Sequence, residues 1–169
     1  EMHTGGEPLR IPIEGLPQIV GDNILAKRRY FRDNFDHLRT AMMFEPRGHA
    51  DMYGAILTEP ISDGADFGTF FIHNEGYSTM CGHAIIALTK FAFETGFIQK
   101  DSNELIIDAP PGIIRSKAHF NQGKVERTSF LNVPSFVLYQ NQEIGVDGIG
   151  TVRFDVSYGG AFYAFVDAD

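Results

Sequence analysis

The stretch HNEGYSTMCGHAIIALTKFAFETG, residues 73–96, decides how the chain folds, because a polar loop leads directly into an apolar segment. From Gly82 to Glu94 apolar residues cover nearly the whole circumference of a helix, and Gly96 is typical of a helix C-terminus. A helix that is apolar all round must be buried, and this one is too short to cross a membrane. The stretch therefore predicts a central helix enclosed by a curved sheet.

Upstream of this helix, the sequence predicts a second helix of a different kind. Apolar residues recur every three or four positions over residues 23–43, which indicates an amphipathic helix with Asp22 as its N-cap. A basic run is expected on its solvated side, at Lys27, Arg28, Arg29 and Arg32.

The remaining segments have the pattern of β-strands. Short or alternating apolar runs between turn residues predict strands at residues 9–13, 52–57, 67–73, 104–108, 113–119, 124–130, 136–138, 152–157 and 161–166. The strands 52–57 and 67–73 are expected to form a hairpin. No repeat or flexible linker interrupts the chain, so residues 1–169 are interpreted as a single α+β domain, a curved and mostly antiparallel sheet wrapped around a buried central helix.

The composition indicates an acidic globular protein. The chain has 169 residues and a formal net charge of −8, which argues against nucleic acids and anionic membranes as partners, because both require a basic surface. No run approaches the roughly 20 apolar residues that span a bilayer, and the first residues lack the features of a signal peptide. A cytoplasmic location is therefore expected, with a few native residues missing before Glu1.

The only cysteine, Cys81, lies where the polar loop becomes the apolar helix. The first N–H groups of a helix have no partner within it and carry the positive end of its dipole. Such groups at Gly82 and His83 can stabilise a thiolate and bind a carboxylate, and glycine allows a ligand to come close. The pKa of Cys81 is then expected to lie below the roughly 8.5 of a free thiol. An inert, buried thiol capping the helix is the alternative.

Other functional classes have weaker support in the sequence. Four histidines stand in polar loops near acidic residues, at His3, His49, His73 and His83, but none has a compact metal-ligand spacing, so no metal site is expected. Hydrogen bonds that stabilise loops are the better interpretation of His3, His49 and His73. A Cys/His hydrolase lacks a motif of its own, and no glycine-rich phosphate loop indicates nucleotide binding.

Four blocks of sequence, in a fixed order, resemble one known family. They are HTGGEPLRI from His3, FEPRGHADMYGA from Phe44, HNEGYSTMCGHAIIAL from His73 and SYGGAFYAFV from Ser157. With them the whole chain resembles the proline racemase family, which includes proline racemases, 4-hydroxyproline 2-epimerases and trans-3-hydroxy-L-proline dehydratases and has a diaminopimelate-epimerase-like fold. The segment AKRRYFR from Ala26 and the residue Ala84 after the histidine look closer to the dehydratases.

The resemblance implies a cofactor-independent enzyme of two similar α+β halves, of which this chain would be the N-terminal half and the second half would be absent. Cys81 would remove the α-proton of a proline-like imino acid, and Gly82 and His83 would hold its carboxylate. The favoured reaction is dehydration of trans-3-hydroxy-L-proline to Δ1-pyrroline-2-carboxylate. Proline racemase or 4-hydroxyproline 2-epimerase is the alternative, with a second cysteine in the missing half, and a homodimer is possible.

A non-enzymatic interpretation stays open beside these. A half-domain that has lost activity would serve only as a binding module. An isolated half is also expected to expose the apolar surface that faces its partner, which would make it prone to self-association.

Overall fold

The computed structural model describes residues 1–167, which divide into two units, Glu1–Leu131 and the residues from Asn132 onward. The first unit contains two α-helices and a six-stranded sheet, and the second contains a three-stranded sheet. This content confirms the α+β class. That residues 1–169 form a single domain stays a prediction. In the described part of the chain, neither helix combines the length and apolar character needed to cross a bilayer.

The first unit is built from eight strands and two helices. In chain order they are β1 (Met2–Thr4), β2 (Glu7–Leu9), α1 (Ile24–Met43), β3 (Tyr53–Thr58), β4 (Phe67–His73), β5 (Gly76–Ser78), α2 (Gly82–Glu94), β6 (Glu104–Ala109), β7 (Gly112–Asn121) and β8 (Lys124–Leu131).

The main sheet surrounds α2 with mostly antiparallel strands, as predicted. Its order is β3-β4-β6-β7-β8, with β5 paired to β4, and the pair β4 and β6 is parallel. The hairpin of β3 and β4 is confirmed. The helix α2 packs against β7 and β8 and against the separate hairpin of β1 and β2.

The helix α2 has the predicted bounds, but its burial is less complete than predicted. Its fully buried residues lie on one broad face: Ala84, Ile85, Ala87, Leu88, Thr89 and Ala92. Ile86, Phe91 and Phe93 are only partly buried. The buried hydroxyl of Thr89 donates a hydrogen bond to the Ile85 carbonyl and can accept one from the Ser116 hydroxyl on β7, so the polar group of this face is satisfied.

The helix α1 departs from the prediction at its start and on its basic side. Its N-cap is Asn23 rather than Asp22, because the Asn23 side chain accepts a hydrogen bond of 2.8 Å from the Ala26 N–H. Lys27 is buried, not solvated, because its ammonium donates to the Glu59 carbonyl at 2.6 Å. The Glu59 carbonyl, which follows β3 in the chain, therefore keeps the Lys27 ammonium in the protein interior.

One strand prediction at the N-terminal side was wrong in position, and two short strands were missed. The predicted strand at residues 9–13 is found instead as β2, Glu7–Leu9, which pairs with the unpredicted β1. Beyond it, Arg10 forms only an isolated bridge to Gly54. The strand β5 lies inside what was interpreted as a loop. The local sequence pattern does not predict these short strands, because each is defined by its hydrogen bonds to a pairing strand.

The second unit contains the strands β9 (Phe136–Val146), β10 (Gly150–Tyr158) and β11 (Phe162–Val166), which are antiparallel in the order β11-β10-β9. The predicted strand at residues 136–138 was too short, because the polar residues after it have no strand pattern of their own but pair with β10. Many large apolar side chains of this unit are exposed: Phe136, Val137, Leu138, Tyr139, Ile144, Ile149, Phe162, Tyr163, Phe165 and Val166.

Replacing the N-cap of α1 tests the helix start. We expect Asn23→Ala to lower the free energy of unfolding by about 1 kcal/mol, because the Ala26 N–H loses its acceptor. The matched variant Asp22→Ala should cost clearly less. Chemical denaturation measures both values, and an equal loss in the two variants would show that Asn23 is not the cap.

Candidate active site

Cys81 is the N-cap residue of α2. Its backbone is extended, with φ −147° and ψ 105°, and its carbonyl accepts the first helical hydrogen bond from the Ile85 N–H at 3.1 Å. The side chain is 6% exposed. The local pattern that predicted a helix start at Gly82 therefore puts the only thiol of the chain inside the protein, at the end of a helix.

Polar groups on two elements surround the sulfur. The His83 Nδ1 lies 3.2 Å from Cys81 Sγ. Three further groups favour the charged form of the thiol and act to lower its pKa: the backbone N–H groups of Ala84 and His83 and the hydroxyl of Tyr53. The helix end thus supplies two amide donors, and β3 supplies one hydroxyl.

The expectation that the pKa of Cys81 is lowered was wrong. Burial raises the pKa of Cys81 to about 11, and the carboxylate of Glu7 acts in the same direction. The hydrogen bonds from the Ala84 N–H, the Tyr53 hydroxyl and the His83 N–H act in the opposite direction but do not outweigh burial. The sequence indicated the favourable helix end, whereas the loss of water around the sulfur depends on the packed structure.

Gly82 and His83, the two residues predicted to hold a carboxylate, lie beside the sulfur. Within residues 1–167 no acceptor is found for the Gly82 N–H. A Cβ at this position would stand 3.4 Å from the ring of Phe130 on β8. The His83 carbonyl accepts a hydrogen bond of 2.9 Å from the Thr4 hydroxyl on β1. Their role towards a ligand stays a prediction.

Tyr53 is a residue of this site that the sequence analysis missed. Its ring stacks on His73, with centroids 5.3 Å apart, and meets the edge of His83 at 5.0 Å. Its hydroxyl contacts the hydroxyl of Ser78 on β5. Tyr53 and Ser78 both lie in blocks that carry the family resemblance, and that was the available signal. The local pattern did not indicate that Tyr53 and Ser78 contact each other beside the first turn of α2.

An acidic cavity is lined by Tyr53, whose ring also contacts His83 beside the thiol. Its volume is 240 Å³, and the other polar residues that line it are Glu7, Asp51, His73, Asn74 and Glu75. Burial lowers the pKa of His73, so its ring is neutral near pH 7. A larger cavity, of 510 Å³, lies beside Lys27 and is lined by none of the predicted site residues.

The remaining histidines of the loops have local roles. The Nδ1 of His3 accepts a hydrogen bond from the Gly6 N–H, and the Nδ1 of His49 accepts one from the Asp51 N–H, each at 3.3 Å. These contacts confirm the interpretation of both as loop-stabilising residues. Over residues 1–167, no group of three or more His, Cys, Asp or Glu residues is placed to hold a metal ion.

Comparison with known proteins identifies relatives over the entire chain. The family model described as proline racemase matches residues 1–169. A trans-3-hydroxy-L-proline dehydratase of Colwellia psychrerythraea is 55% identical, with 99% of this chain and 48% of that protein covered. A 3-hydroxyproline 2-epimerase of Burkholderia multivorans is 48% identical, with 99% and 50% covered.

A solved structure has the same fold. The hydroxyproline epimerase of Agrobacterium vitis, crystallised with bound trans-4-hydroxy-L-proline, superimposes with a TM-score of 0.88 at 27% identity. The match covers 98% of this chain and 50% of that one. The chain thus spans about half the length of the relatives it matches.

The ionisation of Cys81 can be followed by alkylation of the chain. We expect iodoacetamide to react slowly at neutral pH and faster as the pH rises towards a midpoint near 11, because the thiolate is the nucleophile and burial disfavours it. The same chain in denaturant should show a midpoint near the ordinary value of 9.0. A native rate that reaches its plateau below pH ~8.5 would contradict the raised pKa.

Proposed function

The chain belongs to the proline racemase family, and from this we propose that the polypeptide containing it removes the α-proton of a proline-like imino acid. The favoured reaction is dehydration of trans-3-hydroxy-L-proline to Δ1-pyrroline-2-carboxylate. The observation that carries the proposal is the position of Cys81, a single thiol at the N-cap of a buried helix with the unpaired Gly82 N–H beside it. The 55% identity to a named dehydratase supports the choice of reaction.

In this proposal each residue has a separate role. The Cys81 thiolate takes the α-proton, so that the C–H bond breaks and an S–H bond forms. The N–H groups of Gly82 and His83 bind the carboxylate, on which negative charge develops. The 3-hydroxyl then leaves, with a proton from an acid of the second half, and the enamine tautomerises to the product.

Because the pKa of Cys81 is raised, the complete site has to stabilise the thiolate further. At neutral pH few thiolates exist when the pKa is about 11. A protonated imino nitrogen near the sulfur would favour the thiolate, because an opposite charge lowers the pKa of a thiol. Binding of a cationic substrate would therefore create the base that the reaction needs.

Racemase or epimerase activity is the second candidate. It is supported by the relative named 3-hydroxyproline 2-epimerase, at 48% identity. In this reaction Cys81 and a second base on the missing half would act on opposite faces of the α-carbon. A binding module without activity is the third candidate, and the acidic cavity lined by Tyr53 would then be a candidate ligand site.

We propose further that residues 1–169 work as one half of a two-domain enzyme. The relatives are about twice as long as the chain. The exposed apolar residues of the second unit, among them Phe136, Phe162 and Phe165, support a covering partner domain. The family resemblance implies that the enzyme needs no cofactor and allows a homodimer, and the cytoplasmic location stays a prediction from the sequence.

The reaction can be assigned by NMR on the full-length parent protein in deuterium oxide. Supplied with trans-3-hydroxy-L-proline, trans-4-hydroxy-L-proline and L-proline in turn, it should dehydrate only the first. Cys81→Ser should lower the rate at least about a hundredfold, because the base is lost. His119→Ala, whose ring contacts Ser129 and Arg127 on β8, serves as the control that keeps activity. Deuterium at an inverted α-carbon would instead establish an epimerase or racemase, and no reaction would favour the binding module.

A planar mimic of the deprotonated substrate tests the pocket separately from turnover. Pyrrole-2-carboxylate should slow alkylation of Cys81 in the parent protein, because it would occupy the space beside the sulfur and the Gly82 N–H. Gly82→Ala should weaken this protection, because a side chain at this position would hinder the close approach of a ligand to the backbone N–H. An alkylation rate that does not change when the mimic is added would identify Cys81 as a buried structural thiol.

A further inference from the structure

A cavity of 500 Å³ lies between the helix α1 and the strand β5, and neither Cys81 nor Gly82 nor His83 lines it. Its lining on α1 consists of Arg28, Arg32, Asp36 and Arg39, and its lining on the other side of Glu75, Gly76 and Tyr77. Three arginines thus share one cavity in a chain whose formal net charge is −8. The basic run that was expected on the solvated side of α1 therefore contributes to a concave surface.

One of the three arginines is already neutralised within the cavity. Arg39 forms two hydrogen bonds with the Asp36 carboxylate, at 2.7 and 2.9 Å, and its other terminal nitrogen donates to carbonyls of the loop before β5. The Tyr77 hydroxyl also donates to Asp36, at 2.6 Å. Because Asp36 is engaged by both groups, the positive charge of the remaining two arginines is not balanced by it.

Arg28 is half-buried, and within residues 1–167 no carboxylate is placed to pair with it. Its Nη1 donates a long hydrogen bond of 3.4 Å to the Tyr77 carbonyl. Burial lowers the pKa of Arg28, and the positive charges of Arg32 and Arg29 lower it further. The surroundings of this guanidinium are therefore short of negative charge.

Arg32 follows Arg28 by one turn of α1 and lines the same cavity. Its Nε pairs with the exposed Asp33 at 2.8 Å, and in the described part of the chain its two terminal nitrogens have no acceptor. Glu75, the second carboxylate of the lining, is exposed. Like charges four residues apart repel each other and destabilise a helix, so an anion between the two arginines would remove this repulsion.

We propose that this cavity binds a small multivalent oxyanion, of the phosphate or polycarboxylate class, between Arg28 and Arg32. A planar guanidinium presents paired N–H donors that match two oxygens of a phosphate or a carboxylate group. The volume of 500 Å³ lies within the range of small-molecule sites, roughly 300–1,000 Å³. A long polyanion is disfavoured by the acidic chain as a whole, whereas a small ion responds to the local charge. The site does not depend on the reaction proposed for Cys81.

Isothermal titration calorimetry on the full-length parent protein tests the proposal with three probes: inorganic phosphate, inorganic pyrophosphate and citrate. Sodium chloride keeps the ionic strength equal in all titrations, because unspecific attraction between charges depends on it. The variants are Arg28→Gln, Arg28→Lys and Arg32→Gln. Arg29→Gln is the matched control, since it removes the same charge from the same turn of α1 but Arg29 is exposed and does not line the cavity.

At least one probe should bind saturably, at about one site per chain, and the probe that binds most tightly distinguishes the phosphate from the polycarboxylate class. Arg28→Gln and Arg32→Gln should each weaken this binding about tenfold or more, because charge-assisted hydrogen bonds to the oxyanion are lost. Arg28→Lys should recover only part of the affinity, since an ammonium keeps the charge but not the paired donors. Arg29→Gln should change the affinity less than about threefold.

Three results would overturn the proposal. The first is the absence of saturable binding by every probe up to about 10 mM. The second is an equal loss of affinity in Arg29→Gln and Arg28→Gln, because binding would then reflect surface charge in general. The third is binding that both glutamine variants of the cavity leave unchanged but pyrrole-2-carboxylate abolishes, because the probe would then bind beside Cys81. Circular dichroism shows whether each variant folds, and if Arg28→Gln does not, the exposed Arg32→Gln decides by the same criteria.

Discussion

The burial of α2 is the constraint on which the rest of the structure depends. Its apolar face must leave water, and the strands β7 and β8 together with the hairpin of β1 and β2 cover it. The N-terminus of the helix is buried with it. Because Cys81 is the cap of this helix, the same packing that stabilises the core puts the thiol beside the first backbone N–H groups of α2 and away from solvent.

Two opposing effects meet at Cys81 as a result. Burial raises the pKa of the thiol from 9.0 to about 11, a change that corresponds to roughly 3 kcal/mol in favour of the neutral form. Hydrogen bonds from α2 and Tyr53 reduce this cost without removing it. A thiol buried in this way favours its neutral form, and a positive charge beside the sulfur would favour the thiolate.

The helix α1 supports the loop that leads to the site. Its buried Arg39 forms a bidentate ion pair with Asp36 and donates hydrogen bonds to the carbonyls of His73 and Asn74. The Asn74 side chain donates in turn to the carbonyl of Met43 at the end of the same helix. The loop is thereby fixed on the side where β5 begins, and β5 carries Ser78 to Tyr53.

The sequence by itself determined the features that depend on neighbours along the chain. The bounds of β4 and α2 follow from local apolar patterns and a glycine stop, so the place of Cys81 at the helix start could be predicted, and the motif blocks identified the family. Only the tertiary structure decided which residues from other elements meet there. The contact of Tyr53 with His83, the burial of Lys27 and the raised pKa of Cys81 all depend on groups that are distant in sequence. Desolvation and hydrogen bonding act through space and leave no local pattern.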